Sequence, residues 1–413
     1  MVKFERFTLE NGLRLIVHED HSTPLAAVNI LYDVGARDEH PDQTGFAHLF
    51  EHLMFEGSAN VADFDRELQW AGGENNAFTN NDITNYYLTI PAQNLETALW
   101  LESDRMIELG FSEDKLRIQK NVVTEEFRQS YLNQPYGDIW LLLRPLVYKV
   151  HPYQWSTIGK SIEHVQNATL DQVKSFFYTF YRPDNAIMVI SGNVKATKVL
   201  EMVKKWFGDI PPGNREKRSL PAEPLQTAPR KLVVERDVPF DDVYMVFHTG
   251  TRLEENFYTT DLLTDILAAG DSGRLRQNLV KEKKIFSEAN AWISGSIDKG
   301  FLAITGKLVQ GQNITNACEA VWDELNNLIT KPVDSYELQK VKNKLEAANT
   351  YATVGILSKS MNLAYYELLG DASMLNHQTE KYFGITPEQL MQTAGEVFSQ
   401  NRVSELHYLA KKE

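Results

Sequence analysis

The stretch "GFAHLFEHLMFEGSAN", residues 45 to 60, limits most tightly what this chain can fold into. Phe46, Leu49, Phe50, Leu53, Met54 and Phe55 point in nearly every direction around a helix, so that helix must be buried on most sides. His48, Glu51 and His52 nevertheless fall at i, i+3 and i+4, on one face and within about a turn. A lone buried histidine is ordinarily a satisfied core residue. Two imidazoles and a carboxylate packed side by side among apolar groups must be paired or must bind something. A divalent metal held by both neutral imidazoles satisfies the rings and leaves the carboxylate to work on water. This order, His-x-x-Glu-His, is the reverse of the commoner His-Glu-x-x-His zinc helix.

Two histidines do not complete such a site, because a catalytic zinc normally takes three protein ligands. The next acidic cluster in a helical setting is "LRIQKNVVTEEFRQSYL", residues 116 to 132, with Glu125 and Glu126 adjacent. Neighbours on a helix point about 100° apart, so only one of the pair can face the metal. Spacing leaves the choice open, and the other member is expected on a solvated face.

The rest of the chain is organised as a duplication. "PPGNREKRSLPAEPLQTAPR", residues 211 to 230, combines prolines and charge without hydrophobic period and reads as a linker. It separates residues 1–210 from residues 231–413. The first part nears its end with "TLDQVKSFFYTFYRPDNAIMVISG" and the second with "TPEQLMQTAGEVFSQNRVSELHYLA". Each reads as a Thr N-cap, an amphipathic helix, a polar turn and a strand. The openings also correspond: "LRLIVHED" and "AAVNILYDVGARDE" match "KLVVERDV" and "DVYMVFHTGTRLEE". The fold class expected is α+β, two duplicated domains of mixed sheet packed with helices.

Charge and cysteine usage exclude several alternatives. Lys and Arg number 42 against 56 Asp and Glu, and no basic run of the kind that footprints nucleic acid is present. Cys318 is the only cysteine, which excludes intrachain disulfides and thiolate metal clusters. No window approaches the ~18 apolar residues of a membrane span. The first twenty residues show no signal-peptide pattern, so the expectation is a cytoplasmic protein unless a leader has been removed. His18, His21, His40, His151, His164, His248, His377 and His407 have no metal-ligand spacing between them and read as surface or core residues.

Taken together, "HLFEH", "GGENNAFTNNDITNYYLTIP" (residues 72 to 91), "NVVTEE" and the duplicated halves resemble the inverzincin metallopeptidases, the M16-type group of pitrilysin, insulin-degrading enzyme and mitochondrial processing peptidase. The resemblance covers essentially the whole chain. It implies one Zn2+ per chain held by His48, His52 and Glu126, with Glu51 as general base and peptides as substrates. The family tends to carry a further acidic residue seven positions before the glutamate ligand; here that position is Gln119, so an outer carboxylate is missing. "ITNYYLTI" reads as a strand in its own right. In the resembling enzymes the segment is an edge strand that takes substrate as an added strand, which would put Asn76, Ala77 and Phe78 along the cleft.

One departure stands out. The family uses an Arg and a Tyr seven residues apart in the second half to hold substrate and oxyanion. In "SGRLRQNLVKEKKIFSEANA", residues 272 to 291, those positions fall on Val280 and Ser287, or one residue on, Lys281 and Glu288. Nor does the second half carry a His-x-x-Glu-His; "TDLLTDILAAG" occupies that helix. The resemblance therefore implies the zinc-bearing subunit of a two-subunit endopeptidase, half of a clam-shell closed by a homologous partner without zinc that supplies the Arg/Tyr pair. A homodimer is the alternative arrangement. The alternative function is a catalytically silent scaffold or peptide-capture subunit.

Overall fold

Strands buried on both faces read as unbroken apolar runs, and edge strands alternate. "AIMVISG" is fully buried along its whole length, whereas "ENNAFT" alternates between exposed and covered residues. In the computed structural model, which describes residues 1–213 and 218–411, the first becomes a central strand and the second an edge.

The strands are β1 (Glu5–Thr8), β2 (Arg14–Glu19), β3 (Leu25–Tyr32), β4 (Glu74–Thr79), β5 (Thr84–Pro91), β6 (Ala186–Gly192), β7 (Arg230–Arg236), β8 (Asp242–His248), β9 (Phe286–Ile293), β10 (Phe301–Leu308) and β11 (Val403–Ala410). They form two sheets, ordered β1-β2-β6-β3-β5-β4 and β7-β11-β8-β10-β9. Leaving β1 aside, the two orders superimpose strand for strand. β2 runs parallel to β6 and β7 parallel to β11, while every other pair is antiparallel. The helices before β6 and β11, Leu170–Phe180 and Pro387–Val397, both begin with a capping box: Thr169 with Gln172, and Thr386 with Gln389. The α+β duplication read from the sequence is present at the level of topology, caps included.

The chain divides into two compact units whose boundaries differ from the linear halves. The first comprises Met1–Gln129, Trp155–Leu220 and Thr350–His377; the second comprises Ser130–Gln154, Pro221–Asn349 and Gln378–Glu413. In the first unit helix Ile356–Leu368 lies on β3 and β6, where Leu363 and Ala364 share a core with Ile16, Leu31, Ile187 and Val189. In the second, helix Ile139–Val147 buries Ile139 and Leu143 against Val246, Ala303 and Leu406. The opposite face of that sheet is covered by helices Asn256–Ala268, Ile314–Thr330 and Pro387–Val397. Residues 130–154 and 350–377 thus each pack on a sheet built from the other half of the sequence.

Of the expected linker 211–230, residues 214–217 lie outside the described residues. The remainder is tied down. In the first unit Arg218 bonds Asp38 at 2.7 Å and Asp33 at 2.8 Å. In the second, Glu223 accepts the N–H groups of Lys149, Val150 and His151, and Gln226 donates to the Val403 carbonyl at 2.9 Å. No helix among the described residues is long and apolar enough to cross a membrane.

Candidate metal centre

The helix Phe46–Leu53 carries the histidines, and its start needs explaining because Gly45, the N-cap, has no side chain to cap with. Gly45 sits at φ +90°, and a Cβ there would meet the Ile158 carbonyl oxygen at 2.8 Å. The orphan N–H groups of the first turn are taken up from outside by Glu39. Its two oxygens accept from Gly45 N at 3.0 Å and Ala47 N at 2.9 Å. Glu39 is fully buried, and that burial pushes its carboxyl up to about 8 against the opposing pull of the Ala47 and Gly45 amides. Sequence reading missed Glu39, since the capping residue lies six positions before the residue it replaces.

A carboxyl whose folded-state pKa is raised stabilises the fold fully below its unfolded value, and that contribution is lost as pH rises towards the folded value. In metal-free protein the melting temperature of the native chain is therefore expected to fall, relative to Glu39→Gln, between about pH 4.5 and about pH 8, and to stay level above. The span is roughly 5 kcal/mol. A constant difference across that range, read by thermal melts, would show that Glu39 is ionised throughout.

On the helix face, the His48 and His52 rings lie 4.9 Å apart, centroid to centroid. Glu126 arrives from helix Glu113–Phe127, capped at its start by Ser112. Its Oε2 is 3.1 Å from His48 Nε2 and 3.5 Å from His52 Nε2, and one donor atom from each residue lies within 4.8 Å of the others. The hydrogen bonds from His48 and His52 hold the Glu126 carboxyl far below the usual carboxylate range. His52 is raised in turn, chiefly by its bond to Glu126. Gln119 adds to that pull on His52, and its amide nitrogen donates to Glu56. The Glu56 carboxylate thus lies one hydrogen bond away from the position where the outer acid is missing.

This donor set fits a tetrahedral divalent ion. Bonds of about 2.0–2.1 Å at a tetrahedral angle put neighbouring donor atoms roughly 3.4 Å apart, and the two Glu126 edges, 3.1 and 3.5 Å, bracket that value. The site is only partly covered, with side-chain exposures of 14% for His48, 25% for His52 and 39% for Glu126, which leaves room for a further ligand.

The adjacent Glu125 points elsewhere, with a side chain 55% exposed and paired to Arg128 at 2.6 Å. Replacing Glu126 by Gln is therefore expected to weaken zinc binding by more than the roughly 10- to 100-fold typical of outer partners, while Glu125→Gln leaves it unchanged. Zinc titrated against a competing chelator checks both variants; equal losses would remove the distinction.

Glu51 is on the same face, its Oε2 at 3.8 Å from His48 Nδ1, the ring nitrogen opposite the one that meets Glu126. Asn76, Ala77 and Phe78 lie on β4, the edge of the first sheet, paired with Tyr87, Tyr86 and Asn85 of β5 on one side only. The histidine helix packs against this strand. Asn76 is exposed, Phe78 is 38% exposed and Ala77 is buried.

In the second unit the helix that follows β8, Asn256–Ala268, occupies the corresponding place, with Thr260 and Thr264 along it. Val280 and Lys281 fall in the π-helical segment Leu275–Glu282, and Ser287 and Glu288 on β9. The nearby arginines are engaged, Arg274 with Glu337 at 2.7 Å and Arg276 with Asp271 at 2.8 Å.

Fold and site define a class: a two-copy α+β chain whose first copy carries a His-His-Glu donor set. Residues 14–137 match the family model described as Insulinase (Peptidase family M16), and residues 167–345 the model described as Peptidase M16 inactive domain. The chain belongs to peptidase family M16. It is 29% identical over 408 residues to the zinc protease PqqE of Helicobacter pylori, covering 96% of this chain and 90% of that one. It superimposes on the crystal structure of a protease from Helicobacter pylori with a TM-score of 0.92 at 27% identity, covering 99% of this chain and all of that one. The periplasmic protease PqqL of Escherichia coli shares the fold, with a TM-score of 0.82 and 18% identity; 98% of this chain corresponds to 47% of PqqL.

Proposed function

We propose that the chain is a zinc-dependent endopeptidase subunit acting on peptides or unfolded segments. The observation that carries this reading is the convergence of Glu126 Oε2 on His48 Nε2 and His52 Nε2 at 3.1 and 3.5 Å, with a second carboxylate, Glu51, on the same helix face as the histidines. The name zinc protease borne by the relative PqqE supports it. A divalent ion held by the three residues supplies Lewis acidity and lowers the pKa of water. Glu51 takes the proton from the attacking water and returns it to the leaving amine.

Substrate is held along β4. The free edge of that strand offers main-chain donors and acceptors that an extended peptide can complete as an added strand. Such binding depends little on sequence and suits a peptidase of broad preference. A donor to the developing oxyanion comes from a companion chain, since Val280/Ser287 and Lys281/Glu288 cannot provide an Arg/Tyr pair. Correspondence of the whole chain to about half of PqqL is consistent with a two-subunit arrangement.

The test is cleavage of a mixed quenched-peptide library by the zinc-loaded chain, alone and with a homologous companion. Products only in the presence of the companion support the full reading. Zinc content near zero per chain would overturn it in favour of a scaffold.

A further inference from the structure

A second convergence of metal-ligand groups lies in the second unit. Cys318 stands near the start of helix Ile314–Thr330, and Glu405 and His407 lie two apart on β11, so both side chains leave the same face of the strand. Cys318 Sγ is 3.5 Å from His407 Nε2, and Glu405 Oε2 is 3.2 Å from the same nitrogen. All three donor atoms fall within 4.8 Å of one another. Cys318 and His407 are buried, at 8% and 3% exposure.

Two ordinary explanations can be weighed. The first is a nucleophilic Cys–His–acid relay. Such a relay needs the thiol on one imidazole nitrogen and the acid on the other, so that the ring can pass a proton along. Here thiol and carboxylate meet the same Nε2, which rules the relay out. Burial, with Glu405 adding, also pushes the Cys318 thiol up to about 12, the wrong direction for a nucleophile. The second is a satisfied core cluster, in which the single proton or lone pair of Nε2 serves Glu405 and leaves the weakly bonding Cys318 thiol, at 3.5 Å, a poor second partner. A cation at the common focus serves all three.

We propose that Cys318, Glu405 and His407 form a second divalent-metal site, of the borderline-soft class that takes sulfur, nitrogen and oxygen donors together. Zn–S of about 2.3 Å with Zn–N of about 2.0 Å sets a tetrahedral S···N edge of roughly 3.6 Å, close to the separation found. Charge balances as well: thiolate, carboxylate and neutral imidazole carry two negative charges against the ion's two positive ones. Binding transfers the Cys318 proton to solvent. The donors sit on a central strand and a helix packed over it, with Ala317, Val321 and Val243 in the surrounding core, so their positions are set by the fold. Lys231, opposite Glu405 on β7, is the neighbouring cation whose pull on the thiol the ion would replace. The inference does not depend on the peptidase reading.

Cobalt(II) provides the test, because Cys318 is the sole thiol and the first centre contains none. The full chain saturated with Co2+ is expected to bind two equivalents and to show a sulfur-to-cobalt charge-transfer band in the near ultraviolet. Zn2+ should displace the band. His407→Ala should remove it and His52→Ala should keep it. Absence of the band at saturation in the unmodified chain overturns the proposal without recourse to a variant. So does a band that survives His407→Ala. A band with only one equivalent bound would support this site and count against the first.

Discussion

Replacing Glu51 by Gln is expected to lower peptide cleavage ~10²- to 10⁴-fold while the zinc content stays at that of the native chain. The reasoning starts from where the carboxylate is. Glu51 faces His48 Nδ1 at 3.8 Å, whereas the three donor atoms that converge include His48 Nε2. Its removal therefore takes no ligand from the ion. Gln has the same shape and cannot accept a proton from water, so the loss falls on kcat and kcat/KM together, as for a group that acts only in the transition state. Metal analysis and single-turnover cleavage on the same preparation separate the two effects. Turnover within a few-fold of native would end the general-base assignment. Loss of zinc along with activity would move Glu51 into the ligand set.

The parts of this molecule that were legible in the sequence are those in which the physics is local. A glutamate and two histidines inside an apolar helix carry a desolvation cost visible from residues 46–55 alone. The duplication could be read from matched caps and matched strands, though not the strand order. Glu126 was harder, because the helix that delivers it is distant in sequence and its neighbour is identical in type. Spacing left the choice open and the resemblance alone made it; in the structure Arg128, three residues after Glu125, pairs with it and holds it in solvent.

Non-local features could not be read. Gly45 has no side chain to cap with, and nothing in its own neighbourhood indicates that Glu39 folds back to cap the turn. The hydrophobic faces of helices 139–147 and 356–368 announce burial but not which sheet receives them. Cys318 and His407 are separated by most of an α/β layer in sequence, so no spacing rule brings them together. The single-cysteine argument excluded a thiolate cluster; a mixed site with one thiolate lies outside its reach.

Adding a homologous chain that carries an Arg and a Tyr seven residues apart is expected to raise kcat of the zinc-loaded chain ~10²- to 10³-fold, the equivalent of about 3–4 kcal/mol. In the proposed reading, zinc and Glu51 activate water without help. The negative charge that then develops on the carbonyl oxygen needs a preorganised donor, and this chain's candidate positions hold Val280 and Ser287, or Lys281 and Glu288. Glu288 is itself paired with Lys307 at 3.2 Å, and Arg274 and Arg276 are held by acidic partners. The effect should fall on kcat more than on KM, because β4 supplies the ground-state contacts and the donor acts on charge absent from the ground state. A companion whose Arg and Tyr are replaced by Lys and Phe should bind but fail to stimulate. If the chain alone already turns over at the stimulated rate, it or its homodimer completes the site from residues other than those of 272 to 291, and the two-subunit assignment falls while the metal assignment stands.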